Sequence, residues 1–203
     1  MAMQAKDKFT LGLELPTDPR WVDIASMNIK DILVDHAYCE QKAASSCISL
    51  IVTYPEKEKL VEELTPVVAE EWAHFERVLE LLKKRGYTLE RQRKDSYVDA
   101  LQNKVIQKGG SRDQQLMERL LINALIEARS CERFKLLWKN IADEELSKFY
   151  YELMVSEAGH YKNFIRLAYT YLPEEKVTQR WHEILEQEAE IVRSLPLRSD
   201  RMH

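Results

Sequence analysis

Apolar residues recur along this chain at alternating steps of three and four, the spacing that puts them on one face of an α-helix. The first stripe is Ile29, Leu33, His36, Glu40, Ala43, Cys47 and Leu50. It predicts a helix over about 21–53, ended by Tyr54-Pro55, because the residue before a proline avoids helical dihedrals. Ahead of it, residues 1–20 are polar, hold Pro16 and Pro19, and read as an irregular lead-in. A second helical stretch, roughly 56–85, has Val67, Glu71, His74, Val78 and Leu81 on its stripe and Gly86 as a stop. Pro66 lies inside it, which predicts either a kink or a new helix capped by Thr65. A third helix is expected over about 113–141, with Leu116, Leu120, Ala124, Glu127, Cys131, Phe134, Trp138 and Ile141 in line. Asp143 can cap a fourth, about 144–172, whose stripe runs Leu146, Tyr150, Leu153, Glu157, His160, Phe164, Leu167 and Tyr171. A fifth, about 174–195, opens on Glu174-Glu175, which suits the helix dipole, and packs through Trp181, Leu185 and Val192.

Residues 87–112 break this rhythm: they are polar and basic, with one short helix near 96–107, and close on Gly109-Gly110-Ser111. Two long helical hairpins joined by such a crossover form an all-α, ferritin-like four-helix bundle, here with an extra C-terminal helix at 174–195. Scarce Gly (5) and Pro (6) agree with a helical chain, and 203 residues suit a single domain over 1–203. A formal net charge of −4 excludes a polycation, so nucleic-acid binding needs a local patch. The cysteines, Cys39, Cys47 and Cys131, are odd in number and fit no zinc spacing, which points to a reducing cytosol. With no apolar signal core and no run near the roughly 20 apolar residues that span a bilayer, the expectation is a cytoplasmic protein with no membrane partner.

The chemistry lies in what the stripes contain. Each of the four bundle helices has a Glu on its apolar face: Glu40, Glu71, Glu127 and Glu157. A buried carboxylate is costly unless paired, protonated or bound to a metal, and the stripes offer no Lys or Arg. The second and fourth helices carry Glu-x-x-His, Glu71 with His74 and Glu157 with His160, which sets both side chains on one helix face within reach of one ion. Glu40 precedes Glu71 by 31 residues and Glu127 precedes Glu157 by 30, so each hairpin holds its ligand positions at matching depth. Four carboxylates balance two divalent ions, with neutral imidazoles as the remaining donors, and oxygen and nitrogen ligands suit iron or manganese. Glu132 is the alternative to Glu127 on the third helix, but it points off the stripe.

Other positions keep two readings. His36, one turn before Glu40, is a supporting donor, an extra ligand or a core histidine, and Glu132 is a candidate supporting group. Gly159 either leaves room beside the metals or lets helices pack closely. The basic run Lys83, Lys84, Arg85, Arg91, Arg93 and Lys94 is a candidate RNA-binding surface or an ordinary solvated one.

Four segments go further. DHAYCEQKAA (35–44), EEWAHFERV (70–78), ALIEARSCERF (124–134) and SEAGHYKNF (156–164) resemble the MiaE-type tRNA hydroxylases, and the resemblance runs over nearly the whole chain. It implies a ferritin-like two-iron fold and a dioxygen-dependent monooxygenase. The substrate it implies is the isopentenyl group of methylthio-isopentenyl-adenosine, next to the anticodon in tRNA. It also implies that Glu40, Glu71, His74, Glu127, Glu157 and His160 bind the two iron ions. Since no flavin or iron–sulfur motif is present, electrons must come from an external reductase. Two rival readings share the same spacing: an iron-handling ferroxidase or rubrerythrin-like peroxidase, and a non-enzymatic helical scaffold.

Overall fold

The computed structural model describes residues 11–202, and the first half of the expected lead-in (1–10) lies outside them. Seven α-helices follow one another: α1 (Arg20–Ser26), α2 (Ile29–Thr53), α3 (Glu58–Lys84), α4 (Ser96–Ala100), α5 (Arg112–Asn140), α6 (Glu144–Tyr171) and α7 (Glu174–Ser194). A π-helical turn, Leu101–Val105, continues α4. The long helices pair as two hairpins, α2 against α3 and α5 against α6, and the crossover 85–111 joins them. This is the ferritin-like four-helix bundle, with α7 packed on α5 and on the crossover.

Local chemistry accounts for the helix ends. Ser111 accepts from the Gln114 N–H while the Gln114 side chain accepts from the Ser111 N–H, a reciprocal cap that starts α5. The Asp143 side chain accepts from the Leu146 N–H and starts α6. Gly109 and Gly110 take φ of 99° and 79°, a turn open mainly to glycine, just before the α5 cap.

One expectation needs correction, and of the two readings of Pro66 one is excluded. The helix expected over 21–53 is two helices, because the Asn28 amide donates to the Ile24 carbonyl (2.9 Å) and ends α1. Pro66, in turn, neither ends nor restarts α3, which runs unbroken through it. Thr65 does not cap forward; its hydroxyl donates back to the Val61 carbonyl (2.7 Å).

The core falls into two apolar clusters. One holds Leu50, Leu64, Leu120 and Phe164 and extends under α7; the other holds Leu33, Leu81, Phe134 and Tyr150 and reaches Trp21 of α1. The glutamates and histidines of the four long helices lie in the band between them. Hydrophobic burial at both ends of the bundle thus fixes the depth at which those polar groups meet.

Candidate metal centre

The six expected residues converge. Glu40, Glu71, His74 and Glu157 each bring one donor atom within 4.8 Å of the others, and Glu71, Glu127, Glu157 and His160 do the same. Glu71 and Glu157 belong to both groups, so two adjacent ion positions would share two carboxylates. All six residues are buried. His74 Nδ1 stands 3.6 Å from both Glu40 Oε2 and Glu71 Oε2, and 3.5 Å from Glu157 Oε1. His160 Nδ1 stands 2.8 Å from Glu71 Oε1 and 3.4 Å from Glu157 Oε2.

These short distances are not hydrogen bonds. Both Glu71 oxygens, Glu157 Oε1 and the Nδ1 atoms of His74 and His160 are buried with no hydrogen-bond partner among the described residues. Buried donors gathered this closely and left without partners suit a cation better than a packed polar core. Protonation responds to the same crowding. Burial, with Glu157 and Glu71 alongside, pushes the Glu40 carboxyl well above its usual range; burial and Glu157 do the same to Glu127. Burial opposes charge on Glu71, but its contacts with His160 and His74 hold it at about 2. Burial also disfavours charge on the imidazoles, yet Glu40 and Glu71 raise His74 to about 10, and Glu157 and Glu71 raise His160 to about 12. The cluster therefore draws positive charge, and a divalent cation competes for the same lone pairs. Oxygen and imidazole donors with no thiolate fit iron.

Around this ring the candidates sort themselves. His36, fully buried, meets Glu40 Oε1 through Nε2 at 2.5 Å and packs against Phe134 and Tyr150. Burial holds its pKa at about 3, so a neutral imidazole supports Glu40. Glu132, named as an alternative to Glu127 and as a candidate supporting group, is not among the residues that converge. Five residues past Glu127 it points about 140° away around the helix. There it pairs with Arg129 (2.5 Å) and accepts from the Thr17 N–H and hydroxyl. Both readings of Gly159 also fail: it is exposed, and a Cβ there would meet nothing within 4 Å.

Half of the basic run named as a candidate RNA-binding surface is already paired within the chain. Arg93 bridges Asp31 (2.7 Å) and Asp200 (3.1 Å), Arg85 pairs with Asp143 and Glu145, and Lys84 pairs with Glu145. Lys83, Arg91 and Lys94 are exposed, Lys94 with Asp99 3.6 Å away. Among the described residues no helix is long and apolar enough to cross a membrane.

Sequence reasoning missed two things. Glu70, adjacent to Glu71 and mostly exposed, takes a hydrogen bond from His160 Nε2 at 2.8 Å. That fixes the ring so that Nδ1 faces the cluster. A cavity of about 520 Å³ also opens from the cluster between α2 and α5, beneath Val98, Gln102 and Ile106 of the crossover. Glu40, Glu71, Glu127 and Glu157 form its inner wall, and its size is that of a small-molecule site.

The tRNA-(MS[2]IO[6]A)-hydroxylase (MiaE) family model matches residues 3–203. This chain belongs to the MiaE family of tRNA hydroxylases. A relative from Pseudomonas putida, tRNA 2-(methylsulfanyl)-N(6)-isopentenyladenosine(37) hydroxylase, is 36% identical over 182 residues, 90% of this chain and 87% of the relative. The protein of the same name from Salmonella typhimurium is 27% identical over 94% of this chain and 87% of its own length. Among solved structures, protein 43 with aldehyde deformylating oxygenase activity, from Synechococcus, superposes with a TM-score of 0.88 at 35% identity, covering 94% of each chain. Family and fold together make this chain an oxygenase of the two-metal, ferritin-like kind.

Proposed function

We propose that the protein is a dioxygen-dependent two-iron monooxygenase that hydroxylates the isopentenyl group of methylthio-isopentenyl-adenosine next to the anticodon of tRNA, in the cytoplasm. The observation that carries this reading is the six-residue cluster at the closed end of a cavity, in a chain of the MiaE family. Glu40, Glu71, His74, Glu127, Glu157 and His160 would hold the irons. The iron, when bound, supplies dioxygen activation strong enough for a C–H bond that no acid or base in a protein can break.

The chain's own residues do the rest. His36 orients Glu40 and Glu70 orients His160. The apolar clusters on either side keep water from the reacting end. Overall, one C–H bond, one dioxygen, two electrons and two protons give one C–OH bond and one water. The sequence carries no flavin or iron–sulfur motif, and the electrons are assigned to an external reductase. A base in the anticodon loop is already unpaired, so presenting it requires no extraction from a duplex. Lys83, Arg91 and Lys94 are left to meet the phosphates of the loop.

The test is to incubate iron-loaded protein, dioxygen and a reducing system with tRNA that carries the prenylated, unhydroxylated nucleoside, then to weigh the digested nucleosides. A gain of one oxygen on that nucleoside is expected. No gain, with reductant shown to reach the irons, overturns the reading in favour of an iron-handling protein.

A further inference from the structure

The cavity that ends at the cluster is not uniform along its length. On α5 its lining includes Arg119, Asn123 and Glu127, spaced by four residues, so successive positions on one face rise by about 6 Å. On α2, facing them, stand Glu40, Ala43, Ser46 and Ser49. Going outward, the order is therefore carboxylates (Glu40, Glu127), a stretch where Ala43 and Ile126 line the wall beside the more polar Lys42 and Ser45, a polar pair (Ser46, Asn123) and a cation (Arg119).

The polar pair is incomplete. The Ser46 hydroxyl bonds Asn123 Oδ1 at 3.0 Å, tying α2 to α5 across the cavity. Asn123 Nδ2 is buried with no hydrogen-bond partner among the described residues. A buried amide left half-satisfied is unfavourable unless a ligand completes it. An amide can turn end for end on Ser46, since a hydroxyl both donates and accepts, so the open group matches either an acceptor or a donor. Arg119 is unusual in a second way. Its guanidinium bonds only neutral hydroxyls, Ser49 Oγ at 2.9 Å and Thr53 Oγ1 at 3.3 Å, and no carboxylate pairs with it among the described residues. Half-buried, it carries its whole positive charge at the cavity's outer part, with burial lowering its pKa from the ordinary value.

We infer that Asn123, held by Ser46, binds the purine edge of the substrate at N6 and its neighbouring ring nitrogen, and that Arg119 binds a phosphate of the same nucleotide strand. This rests on the proposed substrate and deepens it. The lengths agree: the isopentenyl tail spans four bonds beyond N6, on the order of 5 Å. One helical turn separates Asn123 from Glu127, so a purine held at Asn123 delivers the end of its tail to the cluster and no further. Asn is a natural partner for adenine, whose N6–H donates beside a ring nitrogen that accepts. Ala43 and Ile126 then flank the tail.

Binding is measured with iron-loaded protein kept free of dioxygen, so that no turnover intervenes, using methylthio-isopentenyl-adenosine as the free nucleoside and, separately, the tRNA that carries it. Asn123→Ala should weaken nucleoside binding roughly tenfold. Ser46→Ala, on the other helix, should weaken it less. Arg119→Gln should leave nucleoside binding unchanged, weaken tRNA binding, and make it less steeply dependent on salt. In turnover, Asn123→Ala should raise the dioxygen consumed per product, because an unanchored tail misses the reacting position, while iron content and helical circular dichroism stay as in the parent. Equal nucleoside binding by the parent, Asn123→Ala and Ser46→Ala overturns the base assignment; unchanged tRNA binding in Arg119→Gln overturns the phosphate assignment. If the parent yields no hydroxylated product while nucleoside binding still depends on Asn123, the proposed reaction falls and this assignment stands.

Discussion

His160 shows how one side chain is set for its task from outside the cluster. The hydrogen bond from Nε2 to Glu70 leaves Nδ1 as the inward lone pair, and His36 does comparable work on Glu40 from the other side. Replacing Glu70 by Ala frees the ring, and iron affinity should fall about tenfold, as read by competition with a chelator. Glu70→Gln, which can still accept through its amide oxygen, should recover part of that loss. That these six positions meet was legible in the sequence, since a Glu on an apolar stripe is conspicuous and Glu-x-x-His fixes the face. Their helpers were less so. Glu70 stands in a helix whose outer face is full of charged residues, and only the position of α6 shows that it meets His160 Nε2. Glu132 was ambiguous because its real partner, Arg129, lies on the same helix but faces α7 and the lead-in.

At the scale of elements, α7 is held by two buried ion pairs that run in opposite senses. Arg129 of α5 meets Glu188 of α7 at 2.7 Å, and Glu118 of α5 takes two bonds from Arg180 of α7, at 2.6 and 2.9 Å. Swapped charges at two levels allow one register only, because a slip sets like charges together. Tyr97 of the crossover adds its hydroxyl to Glu188 (3.0 Å), so α7 also fixes the segment that roofs the cavity. Glu188→Ala should lower unfolding free energy by about 3 kcal/mol, because Arg129 stays buried with only Glu132 as a counter-ion. The double variant Arg129→Met, Glu188→Leu should recover much of it, and denaturant unfolding of the two singles and the double reads the coupling. The periodicity gave the long helices and their partners, because each buries a wide apolar face. It missed the α1–α2 break, where one side-chain amide outcompetes the backbone, and it left Pro66 unresolved, where packing on both sides outweighs a missing hydrogen bond.

Across the whole molecule the two ends of the described chain meet beside α2 and α5. Thr17 binds Glu132, and Arg201, almost fully buried, pairs with Asp35 at 2.9 Å while the Met202 N–H donates to the other Asp35 oxygen at 2.7 Å. Trp21 donates to the Arg201 carbonyl, so the tail also clamps α1. Removing residues 201–203 strands the buried Asp35 carboxylate and should lower the melting temperature by several degrees, seen by calorimetry. This closure was not legible in the sequence, where nothing local marks Arg201 as the partner of a carboxylate 166 positions earlier. The bundle, the paired hairpins and the cluster at mid-depth were legible because each follows from helical spacing. The roof of the cavity and the closure of the termini depend on long-range pairs that spacing does not encode.

The proposed function turns on whether the six-residue cluster holds two iron ions. The most direct measurement is iron per chain in the anaerobically loaded protein, by metal analysis with Mössbauer spectroscopy, for the parent and for Glu157→Ala. Two irons per parent chain in coupled sites, and loss of the pair in a Glu157→Ala protein that keeps its helical circular dichroism, are expected. A folded parent that binds no iron or only one, or a Glu157→Ala variant that keeps both, contradicts the assignment.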